Sequence, residues 1–246
     1  MIKNISIVII AKDAQETIQE TLQSTLLFKE VILYLNNSTD NTKEIASHFK
    51  NVKIIEGDFL GFGKTKNKAA SYASNEWIFS LDSDEVILKE LSQEIKNLPL
   101  ENTQDVFIIK RDNYFLNKKI KYSGWGKDYL LRIYNKTQHS FNDNKVHEFV
   151  TTTQQTHKIY LQNSFKHHAI TDINQFLYKI IKYSDLAAEG KKTCYFLTVV
   201  FKAHWAFFKT YILQLGFLDG YRGFIIATSN FIGKFYRYTK RYIHCK

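Results

Sequence analysis

One proline and ten glycines in 246 residues leave no room for a collagenous or Pro/Gly-rich disordered segment. Cysteine is just as scarce. Cys194 and Cys245 are too few for a disulfide framework and lack metal-ligand spacing, which suits a reducing compartment and two inert thiols. No uninterrupted apolar run reaches the roughly 18 to 20 residues that a spanning helix needs, because Lys202, His204, Lys209, Asp219 and Arg222 interrupt the apolar C-terminal region. The opening run, residues 5 to 11, is too short for a signal-peptide core with its cleavage site and reads as a buried first strand. The chain is expected to touch a membrane without crossing it.

What is present is the composition of an ordinary folded protein, 44% hydrophobic and 24% charged. The length suits one large domain, or a domain of about 170 residues with an appendage. Lysine and arginine outnumber the acids by 34 to 24, a net charge of +10, which favours an anionic partner: lipid headgroups, a phosphorylated substrate or nucleic acid.

The N-terminal part alternates strand and helix. Residues 5 to 11 form an apolar, β-branched run, and Asp13 with Glu16 three residues on makes a capping-box-like start for a helix to about residue 27. The unit recurs as a strand over 31–35 with a helix over about 41–49, then a strand over 52–55 with a helix over about 64–73. A strand over 77–81 then leads into an acidic turn. This rhythm predicts an α/β fold with a doubly wound, mostly parallel sheet, whose ligands sit outside the carboxyl ends of the strands. The turns after Ala11, Leu35, Ile55 and Leu81 should therefore converge. From about 105 to 165 the pattern changes to short strands separated by polar loops. Beyond 170 it becomes long helical segments dense in Phe, Tyr, Lys and Arg. The expected division is an α/β domain over 1–170, in halves over 1–100 and 101–170, followed by a helical extension over 171–246.

Leu81-Asp82-Ser83-Asp84-Glu85 ends an apolar strand, and the turn can aim both aspartates into the crevice. Hard divalent cations take oxygen ligands, and Mg²⁺ is often held by one or two carboxylates together with substrate phosphates. Asp82 and Asp84 are thus candidate ligands for Mg²⁺ or Mn²⁺. The same residues also read as a helix N-cap with solvated acids.

Further segments fall in the same order as a family pattern: Ser6-Ile7-Val8-Ile9-Ile10-Ala11-Lys12, Ser38-Thr39-Asp40-Asn41-Thr42, and Gly61-Phe62-Gly63-Lys64-Thr65-Lys66-Asn67-Lys68-Ala69. The match continues through Gly124-Trp125, Asp128, Leu131-Arg132-Ile133, Val146-His147-Glu148, His167, Lys179, Tyr183-Ser184 and Gly216-Phe217-Leu218-Asp219-Gly220. On these residues the chain resembles the inverting glycosyltransferase family 2, most closely its lipopolysaccharide-core branch of β-1,4-glucosyltransferases. The resemblance covers nearly the whole chain. It implies the GT-A fold, a UDP-sugar donor, a divalent metal at Asp82 and Asp84, and a membrane-bound saccharide acceptor.

By position, the resemblance lines the nucleotide pocket with Ala11 and Lys12, sets Lys66 and Asn67 near the donor diphosphate, and adds Asp82 and Arg132 to the donor site. Without it, residues 61–68 read as a loop entering a basic helix face; they are not a Walker loop. Where the family usually has an aspartate for the nucleotide base or ribose, this chain has Leu35, which cannot accept those hydrogen bonds. Asn36 or Asp40 then takes over, or base recognition is altered. Inverting transfer needs one carboxylate base. Glu148 occupies the place of the family's catalytic acid motif, Asp128 is its rival, and His147 tunes the site or binds acceptor. Asp128 with Arg132 also reads as a structural ion pair. His167, a diphosphate or metal contact by resemblance, also reads as a hydrogen-bonded structural histidine; His168 falls where an aromatic is usual.

The C-terminal part interleaves aromatic and basic residues, as in Phe207-Phe208-Lys209 and Lys234-Phe235-Tyr236-Arg237-Tyr238. Aromatics settle at headgroup level while Lys and Arg attract anionic lipid, so an interfacial helix fits. Together with the acceptor that the resemblance implies, this predicts an enzyme peripheral on the inner face of the cytoplasmic membrane, acting on a lipid-linked oligosaccharide. A helical pair packed on the catalytic domain or on a partner subunit reads from the same residues. Single-stranded nucleic acid would also suit them, but the strand–helix series and acidic turn gain nothing from it, so no nucleic acid is expected. Two other functions share these features: a non-catalytic binding module that has lost donor recognition, and a nucleotidyltransferase that releases pyrophosphate.

Overall fold

The computed structural model describes residues 1–144, 148–188, 193 and 195–245. In chain order the elements are β1 (Ile2–Ala11), α1 (Ile18–Ser24), β2 (Phe28–Leu35), α2 (Thr42–Ser47), β3 (Val52–Glu56), α3 (Phe62–Ser71), β4 (Trp77–Asp82), β5 (Glu85–Ile87) and α4 (Lys89–Lys96). There follow β6 (Asp105–Phe115), β7 (Lys118–Lys119), β8 (Tyr129–Asn135), β9 (His157–Ile170), α5 (Ile173–Ala188), α6 (Phe196–Phe208) and α7 (Tyr221–Ile243). They form two compact units, one of residues 1–111 and 128–167, the other of 112–127 and 168–246.

The first unit is built on a sheet of order β3-β2-β1-β4-β8-β6-β9-β5. The first four strands are parallel, whereas β8 runs antiparallel to β4 and β6, and β5 antiparallel to β9. The expected α/β fold with a mostly parallel, doubly wound sheet is therefore the observed one. Its cause is visible in β1, which is apolar toward both faces. Ile5, Ile7 and Ile9 pack with Ile18 and Leu22 of α1 and Leu91 and Ile95 of α4, while Val8 joins Ala69 and Ala70 of α3 on the other face. A strand covered on both sides reads as a continuous apolar run.

The first helix departs from expectation, beginning at Ile18 and not at Asp13. Asp13 takes φ +49°, and its carboxylate accepts the Thr39 N–H at 2.8 Å. The Ala14 N–H donates to Thr42 Oγ1 at 2.8 Å and the Gln15 N–H to Asp40 Oδ2 at 2.9 Å. Side chains suited to capping are engaged across two loops instead, so the turns after β1 and β2 are tied to one another.

In the second unit β7 pairs with the end of β6, α7 packs against α5 and α6, and Phe115, Ile120, Ile170 and Ile226 form the core. The helical stretch that opens with α6 continues without a break to Leu213, and the chain turns only after it. Its last residues, Lys209–Leu213, are π-helical, and a 3-10 turn, Gly216–Asp219, follows Leu215 at φ +55°. Asp219 fixes that turn by accepting the N–H groups of Lys121 (3.0 Å) and Tyr122 (3.1 Å) and the Ser123 hydroxyl (2.8 Å). Gly223 is needed for the return, since a Cβ there would lie 1.8 Å from the Gly216 carbonyl oxygen. Cys245 is disulfide-bonded and not the inert thiol expected; Cys194 lies outside the described residues. Among the described residues no helix is long and apolar enough to cross a membrane.

Candidate active site

The carboxyl ends of the parallel strands present Ala11, Leu35 and Asp82. Leu35 is buried in the apolar core, which confirms that its side chain offers nothing to a polar ligand. Asn36 follows, its N–H donating to the Ala11 carbonyl at 3.0 Å. It is 8% exposed, and its amide oxygen has no hydrogen-bond partner. A buried acceptor left unpaired costs about 1–3 kcal/mol, so it is a position where a ligand donor is rewarded. Asp40 is otherwise engaged: it accepts the N–H of Thr42 at 3.0 Å and of Gln15 at 2.9 Å. Burial opposes its ionisation, but these bonds hold its carboxyl below the usual range. Lys12 is exposed beside them.

At Asp82 the site becomes a chain of alternating charge. Lys66, buried on α3, lies 3.0 Å from Asp82 Oδ1 and 3.0 Å from Glu148 Oε1. Arg132, buried on β8, donates to Asp82 Oδ2 at 2.8 Å and also to Glu85 Oε1. Glu85, fully buried, accepts the Asp82 backbone N–H at 3.0 Å and lies 3.5 Å from Arg111 Nη1. Arg111 in turn holds Asp128, with Nε and Nη2 each 2.8 Å from one carboxylate oxygen.

The electrostatics follow from burial set against pairing. Burial works to raise the Asp82 carboxyl, but Arg132 and then Lys66 overcome it and hold it well below the usual range. Glu85 goes the other way: burial raises it, Arg132 opposes, and the Asp82 and Asp84 charges raise it further. Arg132 is held charged by Asp82 and Glu85 against its own burial. Lys66, Asp82, Arg111, Arg132, Glu148 and Phe149 share the lining of a cavity of about 200 Å³.

The segment that carries Glu148 is held by α3. The Asn67 amide donates to the Phe141 carbonyl at 2.8 Å and accepts the Phe141 N–H at 2.9 Å. A Cβ at Gly63 would meet the Asn142 carbonyl oxygen at 1.9 Å, so only glycine allows this approach. Both ends of the Asn67 amide are thus occupied in positioning the segment, one residue from Lys66. Val146 and His147 lie outside the described residues.

Asp82 and Asp84, the two carboxylates expected at a cation, have different neighbours. Both Asp82 oxygens already face cationic side chains, whereas Asp84 Oδ2 faces His167 Nε2 at 3.4 Å. That contact follows from the register of β5 against β9, which sets Glu85 opposite His167. A carboxylate beside an imidazole nitrogen is a donor set that a divalent ion such as Mn²⁺ accepts, with positions left for phosphate oxygens and water. No group of three or more His, Cys, Asp or Glu side chains is placed to share a metal among the described residues. The alternative pairing of Asp128 with Arg132 is replaced by Asp128 with Arg111 and Arg132 with Asp82 and Glu85. Sequence reasoning assigned no role to Glu85, Arg111 or Gly63. The only signal for Glu85 was its place at the end of the acidic run.

This protein is a glycosyltransferase. Residues 6–168 match Glycosyl transferase family 2, and the chain belongs to that family. It is similar to an uncharacterized glycosyltransferase of Rickettsia typhi, 30% identical over 258 residues that span 97% of this chain and 86% of the relative. A counterpart in Rickettsia prowazekii shows the same identity and coverage. Among solved structures, S. aureus TarS 1-349 in complex with UDP is 16% identical with a TM-score of 0.48, covering 93% of this chain and 80% of that one.

Proposed function

We propose that the enzyme transfers a hexose, glucose, from a UDP-sugar to a saccharide of the lipopolysaccharide or lipooligosaccharide core, with inversion to a β-linkage, while resting on the inner face of the cytoplasmic membrane. The observation that carries this reading is the meeting of Glu148, Lys66, Asp82 and Arg132 around one cavity. Glu148 draws the proton from the acceptor hydroxyl as it attacks the anomeric carbon, and UDP leaves from the opposite face. Asp128, the rival base, is bound by the Arg111 fork and does not line the cavity. Lys66 and Arg132 supply the positive charge that suits a diphosphate. Asp84 and His167 would hold a Mg²⁺ or Mn²⁺ ion. When bound, such an ion neutralises charge on the departing diphosphate.

Two measurements probe the donor half. Asn36→Ala weakens UDP binding by up to about tenfold, the worth of one hydrogen bond to a buried acceptor, while Asn36→Asp retains it; an unchanged calorimetric Kd for Asn36→Ala removes Asn36 from base recognition. Chelation of divalent ions abolishes transfer and Mn²⁺ restores it, whereas Asp84→Ala loses the response to added Mn²⁺. Undiminished, metal-stimulated activity in Asp84→Ala refutes the metal assignment. The reading as a whole is tested by a donor screen against truncated core saccharides.

A further inference from the structure

The second unit carries an apolar stripe that none of the described residues covers. In α6 and the π-helical stretch after it, Leu197, Phe201, Trp205, Phe208 and Ile212 recur at intervals of four, four, three and four, the spacing of one helix face. All five are exposed, Leu197 at 81% and Phe201 at 66%. The helix does not need this stripe to fold: Val199, Ala203 and Thr210 are buried, and α6 packs against α7. Exposed apolar residues continue through Leu213, Leu215, Phe217 and Leu218. Single exposed apolar side chains are ordinary, but a contiguous set marks an interaction surface.

Charge identifies the partner. Residues 195–218 contain no Asp or Glu, and their two charged residues, Lys202 and Lys209, are exposed. The next acid in the chain, Asp219, is turned inward onto the backbone of Lys121 and Tyr122. Lys209 also belongs to a crowd of like charges. The Lys234 ammonium is pushed down by burial, by Arg237, and further by Arg241 and Lys209. An apolar stripe flanked by uncompensated cations complements an anionic bilayer, with aromatic rings at headgroup level and lysines on lipid phosphate. A second copy of the chain fits worse, because face-to-face pairing would set Lys202 and Lys209 against like charges.

We infer that this stripe is the enzyme's membrane-docking face: α6 lies in the plane of an anionic bilayer, with Leu197, Phe201, Trp205, Phe208 and Ile212 entering the headgroup–acyl boundary. The inference rests on the lipid-linked acceptor proposed above and adds the surface that brings the enzyme to it.

The test uses the full chain with vesicles of phosphatidylcholine alone or mixed with phosphatidylglycerol. Flotation with the mixed vesicles, reversal by salt, and quenching of Trp205 emission by brominated acyl chains are expected; Trp205→Phe removes the quenching. The triple variant Leu197→Ser, Phe201→Ser, Phe208→Ser should partition at least about tenfold less, while keeping its UDP affinity and its transfer to a deacylated, water-soluble acceptor. Absence of flotation at low salt, flotation unchanged in the triple variant, or a dimer of the unmodified chain that the variant abolishes would each overturn the inference. Should the unmodified chain float as expected yet transfer no sugar to any core acceptor, the functional reading fails while the docking face stands.

Discussion

Glu148→Gln lowers the rate of sugar transfer by about 10²- to 10⁴-fold, the usual contribution of a positioned general base, while UDP affinity stays near that of the unmodified enzyme. The substitution is nearly isosteric. Its amide oxygen still accepts from Lys66, which reaches Glu148 Oε1 at 3.0 Å, so the charge chain through Asp82 is preserved and only proton uptake is lost. The matched control is Asp128→Asn. Asp128 itself lies outside the cavity lining and acts on it only through the Arg111 fork, so a modest effect is expected. Single-turnover transfer and calorimetric UDP binding on the two variants decide the base. A near-normal rate for Glu148→Gln with a collapsed rate for Asp128→Asn would reverse the assignment.

The largest effect on stability is expected at Arg132. Arg132→Leu removes the strongest counter-charge from Glu85, which is fully buried, and breaking a buried pair from one side costs about 3–5 kcal/mol. Adding Glu85→Gln recovers much of the loss, because no isolated charge then remains. The pH dependence has a definite sign. Burial already raises the Glu85 carboxyl against the pull of Arg132, so loss of the arginine raises it further. A group whose folded value lies above its unfolded one adds stability below the unfolded value and loses it as pH rises through the folded value. The deficit of Arg132→Leu therefore grows from acid to neutral pH, and the double variant lacks the part of that slope that Glu85 contributes, keeping the part that comes from Asp82. Urea unfolding across a pH series measures both; a deficit independent of pH would place the cost in lost packing.

The part of this architecture that could be read from the chain is the part set by local pattern. The continuous apolar run of β1 and the strand–helix rhythm foretold a parallel sheet, because burial on both faces leaves that mark within a few residues. The order of the motifs singled out Lys66, Asp82, Arg132 and Glu148, which the fold brings together. What did not show depends on register and on contacts distant in sequence. Nothing local says that Asp13 would reach to Thr39 and delay α1, that Asn67 would hold the Phe141 backbone, or that Arg111 would take Asp128. No local feature marks Glu85, last in an acidic run, for burial; its place on β5 beside β9 is a matter of register. Equally hidden was the partner of Asp219, a turn almost a hundred residues earlier in the chain.

The most direct test of the account is the configuration of the glycoside formed from UDP-α-glucose and a truncated core saccharide. Proton NMR of the product is predicted to show the strong H1–H2 coupling of two axial protons, a β-linked glucose, with one UDP released per linkage formed. An α-linked product, or pyrophosphate in place of UDP, would contradict single displacement at the anomeric carbon with Glu148 as the base.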